Sequence, residues 1–186
     1  NSWNNLFNYL SKVEKFPINL ILASGLAISK DNSDKIYDRF RNRLIVPIHD
    51  MQGRVVAFGG RSLDGQEPKY LNSPESEIFE KGKMLFAFEK ASSNIRKRDK
   101  AIIVEGYFDV ISLHAKGITN SVASLGTALN KYQISQLCRC TDNKNIILNF
   151  DSDNAGILAT KRVIKEVESL SLHDQINLKI LQLNDF

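Results

Sequence analysis

The sequence predicts an α/β protein in which an α+β segment of basic character precedes a mainly parallel sheet of four strands with flanking helices. Two patterns lead to this prediction. Beyond residue 100, short apolar runs alternate with helical patterns, which is typical of βα units with right-handed crossovers. Before it, two helical patterns are followed by a hairpin pattern. We place the boundary in a charged connector, which gives domains at residues 1–97 and 98–186.

The composition is that of an ordinary globular protein, because 42% of the 186 residues are hydrophobic and 25% are charged. No apolar run approaches the roughly 20 residues of a membrane span, and the first residues lack a signal-peptide pattern. The only cysteines are Cys138 and Cys140, and the three histidines are scattered, so no zinc site is expected in this chain. These observations predict a soluble, intracellular protein without membrane association.

The charge is distributed unevenly along the chain. Residues 1–100 contain 17 lysines and arginines against 12 acidic residues, whereas residues 101–186 contain 8 against 9. A basic half beside a half with clustered carboxylates suits a polyanion lying across a metal site. A solvated surface of no special function is the alternative, and the charge excess alone does not decide between them.

The first elements are predicted to be helical. Residues 4–13 form an amphipathic pattern, residues 16–25 read as a short helix that ends at a glycine, and residues 29–34 form a polar loop. None of these segments indicates chemistry.

Three arginines, Arg39, Arg41 and Arg43, then alternate along the chain, so an extended backbone would place them on one face. A strand over residues 44–49, a turn at 50–53 and a returning strand over 54–61 predict a hairpin. Paired glycines and Arg61 end the second strand. An arginine fork at such a place can bind two phosphate oxygens at once.

The next loop combines a cation, an aromatic ring and an amide in Lys69, Tyr70 and Asn72, a mixture suited to a nucleic-acid strand. Lys81 adds a cation beside a glycine in the segment 79–86. For each basic residue alone, a solvated surface charge is the simpler interpretation. Taken together, these residues make nucleic-acid binding as well supported as that alternative.

In the remainder of the chain the predicted elements alternate. Helices are expected at residues 87–94, 108–116, about 130–139 and 155–169, and strands at residues 101–104, 121–124, 146–150 and 176–181.

Carboxylates follow two of these strands. Glu105 comes directly after the strand 101–104, and Asp151 and Asp153 follow the strand 146–150. Open parallel sheets bind ligands beyond the carboxyl ends of their strands, so these side chains are expected to share one acidic pocket. Asp109, in the first turn of the following helix, is expected to point to the same region.

Oxygen ligands of this kind suit Mg²⁺ or Mn²⁺, which activate the attacking oxygen and neutralise the leaving phosphate in phosphoryl transfer. Each acid could instead stabilise the start of a helix. Three acids at two strand ends, each before a turn that contains glycine, favour the metal site, because unpaired like charges held close together are costly without a cation.

The residues Glu105–Asp109 and Asp151–Gly156 resemble the marks of the TOPRIM domain, which is shared by bacterial-type primases, type IA and type II topoisomerases and some nucleases. Other segments narrow this resemblance to the catalytic core of a bacterial-type DNA primase, from about residue 36 onward. The segments that resemble its basic subdomain are residues 39–43, 54–61, 68–75 and 79–82, and residues 122–127 resemble its second TOPRIM strand and loop.

The resemblance implies a DNA-templated RNA polymerase that makes short primers from ribonucleoside triphosphates on single-stranded DNA. It implies that Glu105, Asp151 and Asp153 hold Mg²⁺ or Mn²⁺, with Asp109 in a supporting catalytic role. The residues implied to contact template or triphosphate are Arg61, Lys69 and Lys81, with Tyr70 and Asn72 beside them and Arg39, Arg41 and Arg43 as secondary candidates whose alternative role is to order the fold.

The resemblance also implies features that this sequence lacks. They are a zinc-binding domain before the core, an Asp-Pro-Asp motif after the fourth strand and a C-terminal domain that binds the replicative helicase. The sequence is therefore expected to be a piece of a longer protein. The expected location is a bacterial cytoplasm, at the nucleoid, or an organelle of bacterial descent.

Three other functions compete with this interpretation. A TOPRIM topoisomerase or nuclease would need a DNA-cleaving tyrosine or a nuclease region elsewhere, and the basic half argues against it. An aspartyl phosphatase favours Thr or Val after the second Asp, where this chain has Asn154 and Ala155. A non-catalytic nucleic-acid-binding module would not need the intact acids Glu105, Asp151 and Asp153.

Overall fold

The structure, a computed structural model, describes residues 3–29, 35–170 and 173–181. The chain divides into two compact units, one formed by Asn1–Ile48 with Val55–Phe79 and one by His49–Arg54 with Glu80–Phe186. A domain boundary at residues 97 and 98 stays a prediction. Within the described ranges, no helix combines the length and the apolar character that crossing a membrane requires.

The first unit holds short helices and two antiparallel sheets. Its elements are α1 (Asn5–Asn8), a π-helical turn (Tyr9–Val13), α2 (Ile18–Ala23), β1 (Ala27–Ser29), β2 (Ile36–Asp38), β3 (Arg43–His49, all but the last residue), β4 (Val55–Ser62) and β5 (Tyr70–Asn72). Strands β1 and β2 form one sheet, and β3, β4 and β5 form the other in that order. The hairpin β3–β4 was predicted, whereas the pair β1–β2 was not. The loop predicted at residues 29–34 lies almost wholly outside the described residues.

The three alternating arginines do not share one extended strand, which corrects the expectation that they line one face. Strand β2 ends at Asp38, residues 39–42 bend, and Asn42 has a left-handed φ of 49°. Only Arg43 belongs to β3. The bend is anchored by the buried carboxylate of Asp38, which accepts hydrogen bonds of 2.8 Å from the N–H groups of Leu6 and Phe7. Its side chain therefore satisfies the free N–H groups in the first turn of α1.

The second unit is built on a parallel sheet. Its elements are a 3₁₀ turn (Lys81–Lys83), α3 (Phe88–Arg98), β6 (Ala101–Val104), α4 (Tyr107–Ala115), β7 (Ser121–Ala123), α5 (Lys131–Cys138), β8 (Asn145–Asn149), α6 (Asn154–Glu168), a second 3₁₀ turn (His173–Gln175) and β9 (Asn177–Ile180). The strand order is β7-β6-β8-β9, and all three pairings are parallel. The predicted four-stranded sheet and the α/β fold class are confirmed.

Apolar side chains on both the strands and the helices fix this sheet. Ile103 of β6, Leu148 of β8 and Ile134 of α5 are completely buried in one hydrophobic cluster. Burying side chains of this size supplies about 1.5–3 kcal/mol each relative to exposure. The central strands β6 and β8 are thereby held rigidly, and the loops at their carboxyl ends begin from fixed positions.

Helix α3 continues through the charged segment that the sequence predicted to be a connector. Ile95 is completely buried, so the last turn of the helix packs on the core although it is rich in charge. The cations in that turn, Arg96, Lys97 and Arg98, also interact favourably with the negative end of the helix dipole. Burial of Ile95 therefore favours the helix in this segment, although the neighbouring residues are charged.

Candidate active site

The loops after β6 and β8 bring Glu105 and Asp151 together. These strands are neighbours, with Val104 paired to Asn149, so the residues that follow them emerge at the same edge of the sheet. The carboxylate oxygen Oε1 of Glu105 accepts a hydrogen bond of 3.1 Å from the N–H group of Asp151. This bond ties the two predicted catalytic loops to each other.

Asp109 and Asp153 both act as caps at the start of a helix. Oδ2 of Asp109 accepts a hydrogen bond of 2.9 Å from the N–H group of Gly106, just before α4. Oδ1 of Asp153 accepts one of 2.8 Å from the N–H group of Gly156 in the first turn of α6. The capping role predicted from the sequence is therefore present for Asp153, whereas that of Asp109 was not predicted, and each bond uses one carboxylate oxygen.

Gly156 is a site residue that the sequence showed only as part of a turn. A Cβ atom at this position would lie 2.0 Å from the carbonyl oxygen of Asp151 and 2.8 Å from Oε1 of Glu105. Both distances are far below van der Waals contact. The start of α6 can approach the two acidic loops this closely only because residue 156 has no side chain.

The carboxylates share one electrostatic environment. Partial burial raises the pKa of Glu105 above its ordinary value, and the negative charges of Asp151, Asp153 and Asp109 raise it further. The hydrogen bond from the N–H group of Asp151 acts in the opposite direction and is outweighed. Repulsion at this edge of the sheet is therefore a property of the folded chain, and a bound cation would relieve it.

The donor set fits a hard divalent cation, since every charged oxygen in the cluster belongs to a carboxylate. Among residues 3–29, 35–170 and 173–181, however, no three His, Cys, Asp or Glu side chains are arranged to hold an ion together. The capping bonds of Asp109 and Asp153 explain part of this, because they turn one oxygen of each toward a helix start.

Arg39, Arg41 and Arg43 make bonds within the first unit. Nε and Nη2 of Arg39 both donate to the carbonyl oxygen of Asn72, at 3.2 and 2.9 Å, and burial lowers the pKa of this guanidinium. Arg41 donates to the carbonyl oxygen of Asp38, and its guanidinium lies 4.7 Å from the ring centroid of Trp3. Arg43 donates to the carbonyl oxygen of Lys69 at 3.4 Å.

A second group of basic residues surrounds Tyr70. Arg61 and Tyr70 are paired across β4 and β5, and the guanidinium of Arg61 lies 5.7 Å from the centroid of the tyrosine ring. Nζ of Lys69 lies at the same distance from this ring. Tyr70 is 45% exposed, so an aromatic face with two adjacent cations is presented to solvent. We call Arg61, Lys69 and Tyr70 the tyrosine patch.

The two halves of the chain match two protein-family models. Residues 1–92 match the N-terminal domain of the DNA primase catalytic core, and residues 102–186 match a Toprim-like domain. The chain is also 53% identical over 181 residues to a DNA primase of Synechococcus elongatus and 48% identical over the same length to one of Synechocystis sp.. The chain belongs to the bacterial-type DNA primase family.

Solved structures from this primase family share the fold. A primase domain from Pseudomonas aeruginosa matches 99% of the chain with a TM-score of 0.89 and 40% identity, and the chain covers 56% of it. The E. coli primase catalytic core matches 99% of the chain with a TM-score of 0.83 and 37% identity, with 57% of it covered. A primase catalytic domain bound to single-stranded DNA matches with a TM-score of 0.82 and 36% identity, with 99% of the chain and 58% of that domain covered.

The chain spans about a quarter of the length of the curated relatives. Each of the two cyanobacterial primases aligns with 97% of this chain, whereas the chain covers 26% of the first and 28% of the second. The similarity to these relatives therefore concerns about a quarter of their sequences, which corresponds to the catalytic core.

Lys81, the remaining predicted binding residue, lies in the same unit as the acidic cluster. It begins the 3₁₀ turn, and its carbonyl oxygen accepts a hydrogen bond of 3.2 Å from Nε2 of Gln133. Gln133 was not among the site residues predicted from the sequence. The signal was present nonetheless, because Asn130 and Gln133 have the spacing of a capping box.

Proposed function

We propose that the protein carrying this chain is a DNA primase, which synthesises short RNA primers on single-stranded DNA by nucleotidyl transfer from ribonucleoside triphosphates. The observation that supports this most strongly is the group of carboxylates around Glu105, at the joint edge of β6 and β8 in a chain of the primase family. The family member that is bound to single-stranded DNA supports the choice of template. The relatives reported above are primases, which favours this function over a topoisomerase or nuclease.

Glu105, Asp151 and Asp153 are assigned as the residues that hold Mg²⁺ or Mn²⁺, with Asp109 in support. When bound, such ions activate the attacking hydroxyl and neutralise the leaving phosphate. The N–H group of Asp151 orients Glu105, and the capping bond of Asp153 fixes the loop from which Asp151 projects. Partial burial and the neighbouring negative charges raise the pKa of Glu105, and a bound cation would offset both by stabilising the charged carboxylate.

The template and triphosphate contacts are assigned mainly to the tyrosine patch and to Lys81. The cations of Arg61 and Lys69 suit phosphate oxygens, and the exposed ring of Tyr70 suits a stacked base. Asn72 belongs to the same strand as Tyr70. The contribution of Arg39, Arg41 and Arg43 is assigned chiefly to holding this surface in shape, because their guanidinium groups bond to backbone carbonyls.

Two further parts of the proposal concern the whole protein. A replicative helicase is its expected partner, and a zinc-binding domain is expected to assist the core. No described residue of this chain is assigned to either role.

The test is primer synthesis by the Glu105→Gln variant in the protein that carries this chain, at saturating Mg²⁺ or Mn²⁺. Glutamine keeps an oxygen that can accept the bond from Asp151 but removes the charge, so we expect primer synthesis to be abolished. Glu168→Gln, at the exposed far end of α6, is the matched control and should retain full activity. Normal primer synthesis by Glu105→Gln would overturn the assignment.

A further inference from the structure

The backbone around Lys81 is held by two side chains from the start of α5. Nε2 of Gln133 donates to the carbonyl oxygens of Lys81 and Met84, at 3.2 and 2.7 Å. Nδ2 of Asn130 donates to the carbonyl oxygen of Gly82 at 2.9 Å. The two amides therefore bind three carbonyl groups of one four-residue segment, about fifty positions earlier in the chain. We call Asn130 and Gln133 the amide clamp.

The same two amides are fixed from the other side by the helix itself. Oδ1 of Asn130 accepts hydrogen bonds of 2.9 and 3.2 Å from the N–H groups of Tyr132 and Gln133. Oε1 of Gln133 accepts one of 3.2 Å from the N–H group of Asn130. Each amide thus uses its oxygen on the helix and its nitrogen on the segment. Since Gln133 is completely buried, its orientation is set by these bonds and by packing.

The segment that the clamp holds leads directly to the sheet edge with the acidic cluster. The N–H group of Phe86 donates to the carbonyl oxygen of Ala123 at 2.8 Å. Ala123 is the last residue of β7 and is paired with Val104, the residue before Glu105. The segment is thereby attached to α5 at one end and to the edge of the parallel sheet at the other.

We propose that Asn130 and Gln133 are positioning residues that set the place from which Lys81 reaches the phosphates of the template or of the triphosphate. This inference rests on the proposed function, because it takes from it the role of Lys81 in binding phosphate. A lysine side chain is long and loses much freedom when it is held in one geometry. Fixing its backbone in advance removes the further cost of ordering the segment on binding, and neutral amides do so without adding charge near the anion.

The first experiment measures the binding of single-stranded DNA to the chain as a function of salt concentration, with Asn130→Ser and Lys81→Ala as the variants. Serine still caps α5 and is neutral, but it lacks the amide donor to Gly82. The salt slope is the slope of the logarithm of the binding constant against the logarithm of the salt concentration. Losing one phosphate contact lowers its magnitude by about 0.7 on single strands, which corresponds to about fivefold weaker binding at 0.1 M salt. We expect Lys81→Ala to show this change and Asn130→Ser to show a substantial part of it.

The deciding result is the double variant. If the clamp acts through Lys81, adding Asn130→Ser to Lys81→Ala should weaken DNA binding almost no further. Adding it to Lys69→Ala should weaken binding by as much as Asn130→Ser does by itself. Gln133→Met, which fills a similar volume without donors, serves as the second clamp variant, measured on the fraction that folds. Ser135→Ala, on the same helix but outside the clamp, is the control and should bind as the unchanged chain does.

Three results would overturn the inference. If Asn130→Ser binds DNA normally while Lys81→Ala binds it weakly, the clamp does not position Lys81, although Lys81 itself still binds DNA. A clamp variant that lowers the thermal stability and the active fraction but keeps the salt slope would show a purely structural role. A normal salt slope for Lys81→Ala would remove the binding role of Lys81, and the inference with it, while Glu105 still tests primer synthesis independently.

Discussion

Two charged clusters of this chain differ in how their charges are compensated. One is formed by the carboxylates at the edge of the parallel sheet, and the other by the basic residues around the three-stranded sheet. Around Glu105, partial burial and then the negative charges of Asp151, Asp153 and Asp109 raise its pKa. Around Asn72 and Tyr70, in contrast, the guanidinium groups of Arg39 and Arg61 meet a carbonyl oxygen and an aromatic ring. The acidic cluster holds like charges close together, whereas the basic cluster is largely bonded to the protein itself.

This difference separates two ways in which charge serves binding. A cluster under repulsion gains stability from a cation, so its ligand should stabilise the fold strongly. A cluster already bonded to the protein contributes to stability first and to binding only through the groups that still face solvent, such as Tyr70. Single substitutions that change only one of the two clusters therefore separate effects on stability from effects on binding.

Gly156→Ala should have the largest effect on stability. The added methyl group would collide with the carbonyl oxygen of Asp151 at 2.0 Å, and backbone cannot yield as a flexible side chain can. We expect a loss of about 3 kcal/mol in the free energy of unfolding, at the upper end of what overpacking costs, measured by urea denaturation. Gly82→Ala is the control, because its new methyl group would meet only Nδ2 of Asn130, at 3.4 Å. Equal stability of the two variants would contradict the close packing of the acidic loops.

Arg39→Lys should have the next largest effect, again on stability. Lysine keeps the charge but loses the planar fork that donates twice to the carbonyl oxygen of Asn72. The expected loss in the free energy of unfolding is about 1–2 kcal/mol, and the salt slope of DNA binding should not change. A changed slope with normal stability would mean that this arginine contacts phosphate instead.

Lys69→Ala should show the reverse behaviour. Its ammonium group lies beside an exposed ring, and exposed cation–π contacts are worth only about 0.5–1 kcal/mol. We expect the melting temperature to fall by at most a few degrees, while the magnitude of the salt slope for single-stranded DNA falls by about 0.7. Binding titrations at several salt concentrations measure this. An unchanged slope would assign Lys69 to a solvated surface.

The smallest effect concerns pH. The pKa of Glu105 is raised in the folded chain, so the folded state binds more protons than the unfolded state in the range between the ordinary and the raised pKa. The free energy of unfolding should therefore decrease as pH rises through that range without divalent cations. Glu105→Gln should remove this decrease and should be slightly more stable than the unchanged chain at neutral pH. Denaturation curves at several pH values compare the two.

The sheet and the places of the carboxylates could be predicted because they depend on local patterns. The first strand of the parallel sheet was predicted to residue accuracy at Ala101–Val104, and β8 differs by one residue at each end. Parallel neighbours then bring their carboxyl ends to one edge, so Glu105 and Asp151 had to be close. Repulsion among these acids followed from the residue types alone.

The bonds that tie distant segments together could not be predicted in this way. Asn130 and Gln133 show a local capping pattern, but nothing in that pattern indicates that their amide nitrogens bind carbonyl groups about fifty residues earlier. Arg39 was likewise recognised as basic, whereas its bonds to the carbonyl oxygen of Asn72 depend on how the chain bends after β2. Gly156 is identified as a site residue only by its close approach to Asp151 and Glu105, which the sequence does not show.

The central claim, that the acids around Glu105 form a site for a divalent cation, is tested most directly by thermal unfolding with and without Mn²⁺. A ligand that binds only the folded state raises its stability in proportion to the logarithm of the ligand concentration above the Kd. We predict that Mn²⁺ raises the melting temperature of the unchanged chain and of Glu168→Gln, and that Glu105→Gln loses most of this increase. An equal increase in Glu105→Gln would place the cation elsewhere and contradict the account.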